Sequence, residues 1–97
     1  MLHRNMSAAT TMTANARLAL DDVLGDLQHA RRSGNVGRLA LVAYCEVRRW
    51  ARQVGEQALA EHSTQLVMQS PHESRDQFLG RVDALIDELE MVRQRLT

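Results

Sequence analysis

The sequence has no lysine and only one cysteine, Cys45, among its 97 residues. The missing lysine excludes Schiff-base catalysis, a lysine general base and a P-loop phosphate site, each of which needs a lysine amine. A basic set made of arginine alone is typical of a GC-rich bacterial genome. A single cysteine excludes an internal disulfide and is consistent with a reducing compartment, so we expect a cytoplasmic bacterial protein.

Long apolar runs are also missing. No stretch of 18 apolar residues is present, so we expect neither a transmembrane helix nor a membrane partner. Residues 1 to 12 (M-L-H-R-N-M-S-A-A-T-T-M) are rich in Ser, Thr and Ala and lack the apolar core of a secretory signal. They predict a disordered tail, with Met6 or Met12 as alternative starts, ahead of one domain over residues 13–97.

Aromatic residues are scarce, since Tyr44, Trp50 and Phe78 are the only ones in a chain that is 44% hydrophobic. An aliphatic core of this kind favours packed helices over a β-sandwich, which uses more aromatic and β-branched residues. The twelve arginines are balanced by twelve acidic residues, so the chain has no net charge. The composition therefore predicts an all-α fold with little long-range attraction to nucleic acid.

The clearest helix is predicted from Pro71 to Leu96. Ser70 and Glu73 have the spacing of a capping box, and Pro71 suits the first helical position, where its missing N–H is not needed. The apolar positions recur at steps of four and three residues: Phe78, Val82, Leu85, Leu89, Val92 and Leu96. A seam of this kind needs other helices to cover it.

Two further helices precede it. The first is predicted from Thr13, its N-cap, to Arg32, and Gly34 suits the left-handed position that ends a helix. Its stripe consists of Ala16, Leu20, Val23, Leu27 and Ala30, with Leu24 beside it. The second is predicted from Asn35, which can cap it, to about residue 62, although the blurred pattern leaves an end near residue 68 open. Its stripe consists of Val36, Ala40, Ala43, Val47, Trp50 and Val54.

Both predicted links are short, so the three helices are expected to form an antiparallel up-down-up bundle. Its apolar faces are wider than three helices can cover within one monomer. The residues beside the stripes are the interface candidates: Leu41, Tyr44, Leu59, Leu79, Ile86 and Met91. We therefore expect a homodimer or larger assembly, or a partner protein that lays a helix on this surface.

The arginines suggest an alternative. Six lie between residues 31 and 52, and Arg31, Arg32 and Arg38 fall near the first predicted turn, where they are candidates for phosphate contacts. This would make the chain a small nucleic-acid-associated or regulatory protein. Pairing with acidic neighbours is the competing interpretation, and the zero net charge favours it.

Catalytic and metal-binding patterns are not found. The sequence has no G-x-S-x-G elbow, and His62 and His72 are ten residues apart across an irregular link, so we expect no enzyme, metal or cofactor. Cys45 is expected to be a small buried residue, and Trp50 a core residue whose indole N–H needs an acceptor.

The leading interpretation is a non-enzymatic interaction module that works as an adaptor or chaperone. In size and hairpin architecture the predicted bundle is similar to small bacterial helical chaperones and secretion adaptors. This likeness rests on no motif and transfers no site residues.

Overall fold

The computed structural model describes the backbone of residues 2–96 and the side chains of residues 14–96. Over this range the fold is all-helical, as predicted, and none of its helices is both long and apolar enough to cross a membrane. There are four main helices rather than three: α1 (Leu2–Ser33), α2 (36–54), α3 (Gln57–Gln69) and α4 (Arg75–Arg95). A π-helical turn, Val42–Val47, lies inside α2, and a 3₁₀ turn, Ser70–His72, precedes α4.

The four helices form a ring in which each packs against its neighbours in the chain, and α4 closes the ring against α1. The short turns at residues 34–35 and 55–56 make α2 antiparallel to both α1 and α3. The ion pairs Arg31–Asp83 and Asp21–Arg93 show that α4 also runs antiparallel to α1. The result is an up-down-up-down bundle with α2 and α4 at opposite corners.

The turn between α1 and α2 confirms the prediction made for it. Gly34 has a φ of +67°, and the side chain of Asn35 accepts a hydrogen bond from the Arg38 N–H at 3.0 Å. The other end of α1 differs, because the helix begins at Leu2 and Thr13 lies inside it rather than at its start. The side chains of residues 1–13 lie outside the described part of the chain, so the disordered tail stays a prediction.

The second predicted helix begins where expected, capped by Asn35, but its predicted extension to residue 62 or 68 is wrong, because the chain turns at Gly55. This residue has a φ of +80°, which L side chains rarely adopt, and it ends α2 after Val54. The Glu56 N–H then donates to the Ala51 carbonyl at 2.8 Å, which completes a Schellman turn. The residues predicted to continue the second helix instead form a separate helix, α3, which ends at Gln69.

The π turn keeps the buried stripe of α2 on one side. Leu39, Ala43, Val47 and Ala51 are all fully buried and follow one another at steps of four residues. Each such step overshoots an α-helical turn by about 40°, so three steps would rotate the stripe by about 120°. A π turn takes up about one extra residue and cancels most of this drift. Val54, predicted to be on the stripe, is instead 37% exposed.

Helix α3 covers part of the surface that three helices would leave open. Leu59, Ala60, Ser63 and Leu66 are buried, and Leu59 is 0% exposed. Leu59 therefore belongs to the core, which corrects its prediction as an interface residue. Three helices were expected to leave part of the apolar surface exposed in the monomer. That expectation is wrong in part, because the turn at Gly55 creates a fourth helix that buries some of this surface.

The start of α4 lies four residues beyond its predicted position. Ser74, not Ser70, is the N-cap, and its capping box is completed by Gln77. Pro71 has no N–H to donate to the Val67 carbonyl, and the Ser70 hydroxyl donates to that carbonyl instead, at 2.8 Å. Beyond this correction the predicted seam is confirmed, since five of its members are buried: Phe78, Val82, Leu85, Leu89 and Val92.

Candidate functional site on the outer face of helix α2

One side of α2 points away from the core and carries an unusual mixture of side chains. We call it the α2 outer face, and it comprises Leu41, Tyr44, Cys45, Arg48, Arg49 and Arg52. Leu41 is 52% exposed and Tyr44 is 39% exposed. Five of these residues, together with Gln53, line a shallow depression: Tyr44, Cys45, Arg48, Arg49 and Arg52.

The π turn sets the orientation of this face. Val42, Ala43 and Val47 are held against the core, so the intervening Tyr44 and Cys45 are turned outward. Cys45 is exposed, which corrects the prediction that it is buried. That prediction assumed regular α-helical spacing, and the π turn changes the phase of the helix within these six residues.

Tyr44 and Arg48 form a stacked pair at the centre of the face. The guanidinium carbon of Arg48 lies 4.4 Å from the centroid of the Tyr44 ring, within the range of a cation–π interaction. The contact restricts both side chains and covers one face of the ring. The pair therefore presents a flat, partly apolar surface with a positive charge.

The arginines of this face form no close ion pair, although Arg49 interacts at longer range with the charge of Glu46. Among the described side chains, no carboxylate lies within 4.0 Å of Arg48, Arg49 or Arg52. Arg49 and Arg52 are exposed and Arg48 lies over the Tyr44 ring, so three positive charges lie beside Leu41 and Tyr44.

The arginines predicted to contact phosphates are arranged differently. Arg31 donates from Nε to Asp83 Oδ1 at 2.8 Å, and this bond, against a smaller opposing effect of burial, raises the arginine pKa. Arg38 Nη2 lies 3.9 Å from Glu46 Oε2, whereas Arg32 is exposed. Two of the three are thus paired with acidic neighbours, as the competing interpretation expects, and they do not form the main basic surface.

Glu46 borders the face where α2 meets α1. Burial raises the pKa of its carboxyl, and a hydrogen bond with Asp26 raises it further. The charges of Arg38 and Arg49 act in the opposite direction. The carboxyl therefore holds a proton more readily than an ordinary glutamate, chiefly because it is partly buried.

The remaining predicted residues are distributed over the molecule. Leu79 and Ile86 are partly buried against the core, whereas Met91 is 66% exposed on α4. Trp50 is 3% exposed, and its Nε1 donates to the Ala16 carbonyl at 2.9 Å, as predicted for a buried indole. Of the interface candidates, Leu41 and Tyr44 are both exposed and lie three residues apart on α2.

Arg48, Arg49 and Arg52 were not predicted to lie on the same helix face as Leu41. The spacing of Leu41, Cys45, Arg48 and Arg52, at steps of four and three residues, contained the signal, because such residues share one side of a helix. Over the residues that the structure describes, no group of three or more His, Cys, Asp or Glu side chains is placed to hold a metal ion. In comparisons with known proteins, the chain matches no family model, no curated protein and no solved structure.

Proposed function

We propose that this protein is a non-enzymatic helical interaction module that associates with itself through the α2 outer face. The observation that carries the proposal is the combination of exposed Leu41 and Tyr44 with three arginines that have no carboxylate within 4.0 Å among the described residues. Tyrosine and arginine are enriched at the energetic centres of protein interfaces. The Tyr44–Arg48 stack holds two such residues in one arrangement before any partner binds, which lowers the entropy cost of association.

The width of the apolar surface no longer supports this function by itself, because α3 forms a fourth helix whose own Leu59 is buried in the core. What supports it now is the local composition of one helix face. Single exposed apolar side chains such as Met68 are ordinary on protein surfaces, whereas Leu41 and Tyr44 are neighbours on α2 and share their surface with a charged cluster.

Nucleic-acid binding is the second candidate, favoured by three arginines without a close carboxylate on one helix face. Two observations rank it lower: Arg48 covers one face of the Tyr44 ring, where a base would stack, and the net charge is zero. Its test is duplex DNA binding at several salt concentrations. Salt-sensitive binding by the wild type that is lost when Arg48, Arg49 and Arg52 are replaced by Gln would place it first.

Sedimentation equilibrium tests the proposed self-association. The wild type should show an average mass that rises above 11.0 kDa at high micromolar concentration. Leu41→Glu should lower the association constant at least tenfold, because it places a charge in the apolar part of the face. Met68→Glu is the matched control, since Met68 is 69% exposed near the end of α3. A wild type that remains a single 11.0 kDa species would overturn the proposal.

A further inference from the structure

We infer that the surface that binds the α2 outer face is the outward side of α4 on a second copy of the chain. This inference rests on the proposed self-association and adds to it the identity of the second surface. The acidic side of α4, which we call the α4 outer face, comprises Asp76, Asp83, Asp87, Glu90 and Met91, all of them exposed.

The α4 outer face keeps its negative charge because the arginines of α4 are directed elsewhere. Arg75 donates to the Gly34 carbonyl at the α1–α2 turn. The other three form ion pairs with residues outside α4: Arg81 with Glu73, Arg93 with Asp21 and Arg95 with Glu56.

Three acidic groups on this face are consequently not neutralised. Asp83 is paired with Arg31, and Glu90 accepts a hydrogen bond from the uncharged amide of Gln28 at 2.9 Å. Within the described part of the chain, no arginine or histidine nitrogen lies within 4.0 Å of Asp76, Asp87 or Glu90.

The two faces are complementary in charge and similar in apolar content. The α2 outer face has three arginines without carboxylate partners beside Leu41, and the α4 outer face has three such acids beside Met91, which is 66% exposed. Pairing α2 with α2 would bring six like charges together, and pairing α4 with α4 would do the same. Opposite faces therefore attract, whereas like faces repel.

The spacing along the helices selects one register. Arg49 lies eight residues from Leu41, and Asp83 lies eight residues from Met91, which is about 12 Å along a helix in both cases. An antiparallel contact that places Leu41 on Met91 therefore brings Arg49 opposite Asp83, which already pairs with Arg31, and Arg48 to within about three residues, or roughly 4.5 Å along the axis, of the unpaired Asp87. A parallel contact on the same apolar pair would carry Arg49 past the end of α4 at Arg95.

This geometry makes the association head-to-tail. Because α2 and α4 occupy opposite corners of the bundle, the copy that binds through α2 still has its α4 outer face exposed. Such a heterologous contact adds further copies unless the rotation between them closes a ring. The mass at high concentration should therefore exceed that of a dimer.

Two charge-reversed variants test the pairing by sedimentation. Arg49→Glu/Arg52→Glu makes the α2 outer face net acidic, and Asp87→Arg/Glu90→Arg makes the part of the α4 outer face beside Met91 basic. Each variant alone should remain at 11.0 kDa, and an equimolar mixture should associate, because every contact between the two again joins opposite charges. Asp22→Arg/Gln69→Arg is the control, since both residues are exposed outside both faces and the change raises the net charge by three, against four for the α4 variant. It should associate like the wild type.

The outcomes separate this pairing from the broader proposal. If the wild type associates and either charge-reversed variant does so equally well, the α2–α4 pairing is overturned while self-association stands. Two monomeric variants that stay monomeric on mixing would also overturn the pairing. A wild type that is monomeric at high micromolar concentration would overturn both.

Discussion

The turns at Gly34 and Gly55 have the same backbone arrangement, yet only the first was predicted from the sequence. In both, a glycine with positive φ follows the last helical residue. In both, the next N–H donates back across the turn, from Asn35 to the Ala30 carbonyl and from Glu56 to the Ala51 carbonyl. Each is a Schellman turn, and each starts a new antiparallel helix.

The two turns differ in the side chains beside the glycine. Gly34 is followed by Asn35, whose side chain caps the next helix, whereas Glu56 makes no capping hydrogen bond to α3. Glycine is therefore the only sign of a helix end in the sequence around Gly55, since no capping side chain follows it. Isolated glycines also occur inside helices, as Gly25 and Gly80 do here. A helix stop is predictable when the cap and the glycine occur together.

The largest expected effect is on the turn glycines. Gly55→Ala and Gly34→Ala should each lower the free energy of unfolding by about 1–2 kcal/mol, because alanine is strained at positive φ. The two losses should be similar, because the added Cβ at Gly34 would lie 3.0 Å from Arg75 Nη2, the end of a flexible side chain that can move aside. Denaturant titration measures both.

Gly25→Ala provides the matched control, because it lies inside α1 and its added Cβ would meet no atom within 4 Å. It should raise stability by about 0.5–1 kcal/mol. If Gly55→Ala raised the free energy of unfolding as Gly25→Ala does, α2 would continue through residue 55 as the sequence pattern predicted. The assignment of α3 as a separate helix would then be wrong.

Asn35→Ala should have an intermediate effect. It removes the side-chain acceptor of the Arg38 N–H and should cost about 1 kcal/mol in urea denaturation. Glu56→Ala at the equivalent position should cost less than about 0.5 kcal/mol, because it removes only an exposed pair with Arg95 and no cap. Equal losses at the two positions would show that the turns do not differ in capping.

The smallest expected effect is a gain. Glu56→Asp should stabilise the protein by roughly 0.5 kcal/mol, because a shorter carboxylate at the N-cap can accept an N–H of the first turn of α3. Glu56→Gln is the control without a good cap and should show no gain. An aspartate variant that melts at the wild-type temperature would contradict this explanation of the difference between the turns.

Much of the bundle is predictable because its stripes follow regular helical steps. Leu20, Leu27 and Leu89 are fully buried where the pattern places core residues. The start of α4 was harder, because Ser70 and Ser74 both begin a capping-box spacing, with Glu73 and Gln77 as the second members. Only the backbone decides between them: Ser74 is extended, as an N-cap must be, whereas Ser70 is helical.

The candidate site was predictable in part. Leu41 and Tyr44 were identified because they lie beside the apolar stripe, and both are exposed. The place of Arg48, Arg49 and Arg52 on this face was not predicted. Whether an arginine is exposed without an ion pair depends on which acidic residues the fold brings near it, and the sequence alone does not give those. The pairing of Arg31 with Asp83, which removes Arg31 from the basic surface, joins residues that are far apart in the chain.

The sequence by itself determined that the chain is helical, where the apolar stripes of α1 and α4 lie, and where the first turn falls, because all of these depend on residues close together in the chain. The tertiary structure decided the break at Gly55, the π turn in α2 and the separation of basic and acidic faces on opposite corners. These features depend on how helices pack, since burying Leu39, Ala43, Val47 and Ala51 together fixes the phase of α2. That phase turns Leu41, Tyr44 and the arginines of α2 toward solvent.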